Sequence, residues 1–154
     1  MQEERALGIV VIRSDDTRAH LFRDMEQLLR SSAPGATGNP GAVEFFSTAG
    51  HRLAPVFGPN WRLLDLVETN DKAQPEVVLH RLRATVRHMR SDLRANLEAV
   101  ESAGLNVDDG LARLPSMQGA SLEAALEAWA QVLGHFLGSH SADPWHNFWV
   151  HGIF

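Results

Sequence analysis

The sequence predicts an α+β fold with the element order β-α-β-β-β-α-α, in which a small, mainly antiparallel sheet packs against a long helix and C-terminal helices. Three observations predict this fold. A β-branched apolar run opens the chain at residues 6–12, short β-type runs follow between residues 42 and 68, and apolar residues then recur at helical spacing. A chain of 154 residues without cysteine fits one domain, residues 1–154, that needs no disulfide.

The chain begins with a predicted strand and a predicted helix. The run at residues 6–12 is apolar without alternation, which is typical of a strand covered on both faces. Potential N-cap residues then precede apolar residues at spacings of three and four, which predicts an amphipathic helix over residues 17–31. Several Pro and Gly residues predict a flexible loop over residues 33–41.

An antiparallel meander is predicted next, with strands at residues 42–47, 52–57 and 61–68. Gly-bearing turns separate these strands, and such short connections join only antiparallel neighbours. Pro55 lacks a backbone N–H, so we expect it to lie at an edge or at a bulge.

The second half of the chain is predicted to be helical. A long helix over residues 75–103 has one apolar stripe, formed by Leu79, Leu82, Val86, Met89, Leu93, Leu97 and Val100. Gly and Pro residues make residues 104–120 an irregular crossing. Ser121 is expected to cap a second helix, and residues 143–154 form an aromatic and His-rich C-terminal segment.

Charge and hydropathy narrow the classes of partner. The net charge is −5 and the isoelectric point is near 5.9, which argues against a nucleic-acid-binding protein because phosphate contact needs a surplus of cations. The first residues have mixed charge and lead into only a short apolar run, which favours neither a signal peptide nor a membrane span. We therefore expect a soluble, cytoplasmic protein without a membrane partner.

Four arginines form a second stripe on the long helix, beside its apolar face. We call them the Arg stripe; they are Arg83, Arg87, Arg90 and Arg94. At that position arginine stems cover an apolar edge, and the guanidinium groups are expected to pair with Glu123 and Glu127 of the next helix. The alternative is an anion site for phosphate, carboxylate or RNA.

Three aromatic residues near the C-terminus have the spacing of a helical anchor. Trp145, Phe148 and Trp149 lie at positions i, i+3 and i+4, so a helix would place them on one face. Such a face either docks into a groove of another subunit or folds back to close the domain's own core. The sequence leaves both interpretations open.

Half of the eight histidines lie in the last twenty residues, which suggests metal binding. Successive histidines there are five or six residues apart, however, and these spacings do not put two ligands on one helical face. A divalent metal held by His146 and His151, with Asp143 or Glu127 as oxygen ligand, is therefore an alternative, and no cofactor is predicted.

No catalytic motif is evident. The chain has no Cys, no Tyr and no Gly-x-Ser-x-Gly elbow, and its Gly-rich segment follows a helix rather than a strand, unlike a phosphate-binding loop. The most plausible oriented base is His88 with Asp92 one turn later, a spacing that is common by chance.

These observations favour a binding function over a catalytic one. We expect a non-catalytic interaction or accessory subunit that forms a homodimer or joins a larger assembly. The reasons are the aromatic C-terminal segment, the Arg stripe beside the apolar face, the lack of a catalytic motif and the open edges of the sheet. The first alternative is a small-molecule or metal-binding protein, with enzymatic activity left open, that uses the C-terminal His and Trp residues. The second is nucleic-acid or anion binding through the Arg stripe.

Overall fold

The computed structural model describes residues 8–30, 41–59, 62–115, 117, 119 and 121–133. The described elements are, in chain order, β1 (Ile9–Arg13), β2 (Ala19–Phe22), α1 (Met25–Arg30), β3 (Val43–Ser47), β4 (Arg52–Phe57), β5 (Leu63–Glu68), α2 (Pro75–Ala95), α3 (Leu97–Ser102), α4 (Val107–Arg113) and α5 (Leu122–Leu133). The strands form an antiparallel sheet in the order β2-β1-β3-β4-β5. The predicted α+β fold is confirmed.

The sheet separates two apolar clusters because successive side chains of a strand point to opposite faces. Val10 and Ile12 of β1 lie on the face that packs against α2 and α5, which we call the α2 face. Ile9 and Val11 lie on the opposite face, together with Leu28 of α1. Both faces of β1 are buried, as the apolar run predicts.

The structure differs from the prediction at residues 17–31, where a strand precedes a much shorter helix. Residues 19–22 form β2, which pairs with β1 in a hairpin, and Asp16 at the turn has φ 63. Leu21 and Phe22 are consecutive and enter opposite apolar clusters, an arrangement that a strand allows and one helical face does not. Pairing with β1 therefore outweighs the helical spacing, and α1 begins only at Met25.

Pro55 lies where β4 has lost its pairing with β3. The ladder between β3 and β4 includes only Leu53 and Arg52 on the β4 side, whereas Pro55 is paired with Leu66 of β5. The absent N–H of Pro55 therefore costs no ladder bond. The β4–β5 ladder is then interrupted by a bulge, because Val56 pairs with Asp65 whereas Phe57 pairs with Leu63 at the start of β5. The expectation of an edge or bulge position agrees with this geometry.

The predicted long helix is divided in two. Asn96, with φ −127 and ψ 44, ends α2 and precedes α3, and its side-chain amide donates to the Asp92 carbonyl. The predicted stripe is buried except at Leu97, which is 49% exposed because it follows this break. Gly104, with φ 79, comes after α3.

The crossing over residues 104–120 contains one more helix than expected. Asn106 caps α4 by accepting a hydrogen bond from the Asp109 amide. Ser121 accepts from Ala124 at the start of α5, as predicted, and α5 buries Trp129 in the α2-face cluster. Apart from Gly41, the predicted loop at residues 33–41 and the segment 143–154 lie outside the described residues.

Candidate functional site

The structure does not describe the aromatic and histidine candidates of the C-terminal segment. Trp145, Phe148 and Trp149 lie outside the described residues, as do the two proposed metal ligands, His146 and His151. Within the part of the chain that the structure describes, no group of three His, Cys, Asp or Glu side chains could hold a metal ion. These predictions therefore remain predictions.

The four arginines of the Arg stripe differ in burial and in hydrogen bonding. Arg83 is partly buried and donates from Nε and Nη2 to the Met117 carbonyl, at 3.3 and 3.0 Å, so it fastens the crossing segment onto α2. Arg87 and Arg94 are exposed and Arg90 is half-buried. Among the described residues, no stripe arginine forms the expected ion pair with Glu123 or Glu127.

A different arginine of α2 is the central charged residue of the described structure. Arg81 donates to the carboxylates of Asp16 and Glu44 and to the Arg13 carbonyl, and its guanidinium lies 5.7 Å from the Phe46 ring centroid. Burial alone would lower the pKa of Arg81, but the hydrogen bonds from its guanidinium to the two carboxylates outweigh burial and raise it. Arg81 therefore stays charged and ties α2 to the sheet.

A second ion pair connects the β1–β2 hairpin to the other end of α2. Arg18 donates to Asp92 at 2.7 Å. Asp92 is also the residue that we expected to orient His88, one turn away on the same helix. In the structure its carboxylate binds Arg18 and so holds the β1–β2 hairpin. Both long-range pairs were missed in the sequence, because spacing along one helix carries no information on contacts with a distant strand.

The α2 face of the two last strands is not covered by any described helix. Because paired residues share a face, the residues on this side are Arg52, Ala54 and Val56 of β4 and Asp65 and Val67 of β5. We call them the β4–β5 face. All five are exposed, and Val67 and Val56 are 50% and 41% exposed. Helices α2 and α5 pack on the α2 face of the sheet against apolar residues of β1, β2 and β3.

The free edge of β5 is partly blocked. Thr69 donates its backbone N–H to the Arg52 carbonyl, so Thr69 is at a hydrogen-bonded position of the β4–β5 ladder. Hydrogen-bonded and non-hydrogen-bonded positions alternate along an antiparallel strand, and the N–H and C=O of Leu66 therefore point away from β4. The Leu66 N–H instead donates to the side chain of Asp65 at 2.8 Å. A bulge at the start of β5 further disturbs the edge, and both features hinder the addition of another strand.

A pocket of about 470 Å³ adjoins the β4–β5 face at the first turn of α2. Its lining combines apolar and charged residues: Phe46, Gly50, Arg52, Asp71, Lys72, Gln74, Val77 and Val78. Phe46 and Val78 are buried, whereas Val77 is 46% exposed. The Arg52 guanidinium is held 5.9 Å from the Phe46 ring centroid and 3.4 Å from Glu44.

Hydrogen bonds to backbone carbonyls hold the walls of this pocket together. The Gln74 N–H donates to the Gly50 carbonyl at 3.0 Å, and the Thr69 hydroxyl donates to the Arg52 carbonyl at 3.0 Å. Gly50 has φ 93, and a Cβ there would lie 2.7 Å from the nitrogen of Pro75. Only glycine therefore permits this close approach between the β3–β4 turn and the start of α2.

No protein-family model, curated protein or solved structure matches the chain. Over the residues that the structure describes, no helix is both long enough and apolar enough to cross a bilayer.

Proposed function

We propose that this protein is a non-catalytic interaction subunit that self-associates through its β4–β5 face. The observation that supports the proposal is an apolar strip on the sheet, formed by Ala54, Val56 and Val67, which no described helix covers. Helices do cover the same face of the sheet at β1 and β3. Burying half-exposed valines removes apolar surface from water, which favours association. The strip is small, and small interfaces are typical of concentration-dependent dimers.

The charges on this face favour a second copy of the chain as the partner. Ala54 and Val67 are directly paired at the centre of the strip, with Arg52 towards one end and Asp65 towards the other. A two-fold axis through the centre would bring Arg52 of each copy towards Asp65 of the other. The face is therefore complementary to itself in charge, as an isologous interface requires.

The blocked edge favours packing of faces over extension of the sheet. Asp65 occupies the outward N–H of Leu66, so a partner strand would lose a ladder bond there. Two sheets that pack face to face need no free edge, since their side chains interdigitate across about 10 Å. We therefore propose a sandwich-like dimer.

One substitution at the centre of the face tests the proposal. In a two-fold interface Val67→Asp would bury two carboxylates, one from each copy. We expect the dissociation constant of the dimer to rise at least about tenfold, measured by sedimentation velocity from about 1 to 200 µM. Leu97→Asp is the matched control, because Leu97 is 49% exposed on another surface. A wild-type monomer over this range, or equal effects of the two substitutions, would refute the proposal.

The aromatic segment is the main competing occupant of the β4–β5 face. If residues 143–154 cover it within one chain, their deletion exposes the face and increases association, and Val67→Asp reverses that increase. If the dimer is as proposed and independent of the segment, deletion leaves the association constant unchanged. An increased association that Val67→Asp abolishes therefore overturns the proposal in favour of closure within one chain.

A further inference from the structure

The pocket beside the first turn of α2 combines three features of a ligand site: a cavity, an apolar wall and positioned charge. Its volume of about 470 Å³ lies within the range of small-molecule sites, which is roughly 300 to 1,000 Å³. None of the four Arg stripe residues is among its described lining residues, and Arg52 is the one described lining residue that belongs to the β4–β5 face. The pocket therefore calls for its own explanation.

The walls are formed without a ligand, which lowers the cost of binding. The Gln74 and Thr69 hydrogen bonds fix the segment before α2 against Gly50 and Arg52. Arg52 is further oriented by Glu44 and by the Phe46 ring. A guanidinium held in this way can present its donors to a carboxylate without losing much conformational freedom.

Most backbone amides of the first turn of α2 are not available to a ligand. Pro75 has no N–H, and the amides of Val77 and Val78 both donate to the Gln74 carbonyl. The charged groups of the described lining are instead the side chains of Arg52, Lys72 and Asp71. Because Glu44 already pairs with Arg52, the two cations suit a monoanion better than a phosphate dianion.

We infer that this pocket binds a small monocarboxylate with an apolar body. Arg52 and Lys72 hold the carboxylate at the rim, because charge-assisted hydrogen bonds from cations are the strongest that a carboxylate accepts. Val77 contacts the apolar body, and its exposed surface is covered in the complex. The site shares Arg52 with the β4–β5 face, whereas Lys72 lies outside that face, so substitutions of Lys72 test the pocket separately from self-association.

Titration with phenylacetate, followed by amide chemical shifts of the full chain, tests the inference. We expect the shifts to concentrate at Gly50, Lys72 and Val77, and phenylacetamide, the uncharged analogue, to bind at least about fivefold more weakly. Lys72→Gln is expected to weaken phenylacetate binding about fivefold, whereas Lys72→Arg retains it. Arg87→Gln, on an exposed part of α2, is the control and leaves binding unchanged.

Three outcomes would overturn the inference. The first is equal binding of phenylacetate and phenylacetamide, which would remove the role of the charge. The second is inorganic phosphate binding as tightly as phenylacetate, which would remove the role of the apolar wall. The third is an absence of saturable shifts at Gly50 and Val77 in a protein that remains folded.

Discussion

Arg81 on α2 donates a hydrogen bond to Glu44 on β3, and this pair fixes the long helix against the sheet. Glu44 also forms an ion pair with Arg52, whose Nη1 lies 3.4 Å from Glu44 Oε1. One carboxylate therefore connects α2 to the rim of the pocket. Asp16, at the β1–β2 turn, is the second carboxylate bound by Arg81. The arrangement determines where the pocket and the β4–β5 face lie relative to α2.

Removal of Arg81 is expected to destabilise the fold. Its side chain is 15% exposed, so Arg81→Met would leave Asp16 and Glu44 without their main partner in a partly buried site. We expect the free energy of unfolding to fall by about 2 to 3 kcal/mol, measured by urea denaturation. Arg87→Met, at an exposed position of the same helix, should change it by less than about 0.5 kcal/mol. Equal losses in the two variants would contradict a role for the Arg81 pairs.

Gly50 is expected to be the least replaceable of the glycines with positive φ. Gly50→Ala combines an unfavourable φ of 93 with a Cβ that would lie 2.7 Å from the Pro75 nitrogen, so we expect a loss of about 3 kcal/mol or more. Gly104 has φ 79 with no atom within 4 Å of an added Cβ, and Gly104→Ala should cost only about 1 kcal/mol. Thermal unfolding of both variants provides the comparison, and a smaller loss at Gly50 would show that the turn can move away from α2.

The N-cap of α1 should make stability depend on pH. Asp24 accepts the Gln27 N–H at 2.9 Å, and this hydrogen bond holds the pKa of Asp24 below its ordinary value of 3.8. A lowered folded-state pKa means that the stabilisation is complete above the unfolded pKa and is lost as pH falls through the folded one. We expect Asp24→Ala to cost about 1 kcal/mol at neutral pH and less below about pH 4.

Asp24→Ser is the matched control, since serine caps a helix without titrating. It should keep most of the stability, and the difference from Asp24→Ala should change little with pH. A cost of Asp24→Ala that stays constant or grows between about pH 6 and pH 3 would contradict this account of the cap.

Local patterns predicted the parts of the fold that depend on a single element. The apolar run of β1, the buried stripe of α2 and the Ser121 cap of α5 follow from periodicity and capping alone. β2 was missed because Ala19–Phe22 has no signature without β1 beside it. The break at Asn96 was missed for a similar reason, since the apolar spacing continues through it.

The candidate surfaces were harder to predict than the elements. Arg52 and Asp65 are thirteen positions apart in the sequence, and only the register of β4 with β5 brings them onto one face. Arg83 was expected in a binding stripe, but it is engaged by the Met117 carbonyl. Charge spacing along a helix identifies a shared face, whereas the partners of that face depend on tertiary contacts.

A charge exchange between two variants tests self-association most directly. Arg52→Glu alone would set two carboxylates against each other at both contacts, and Asp65→Arg alone would set two guanidinium groups together, so each variant should be monomeric. An equimolar mixture would restore opposite charges at both contacts. We expect sedimentation velocity to detect heterodimers in the mixture and only monomers in the separate samples. A mixture that stays monomeric while the wild type dimerises, or separate variants that dimerise like the wild type, would contradict the proposed interface.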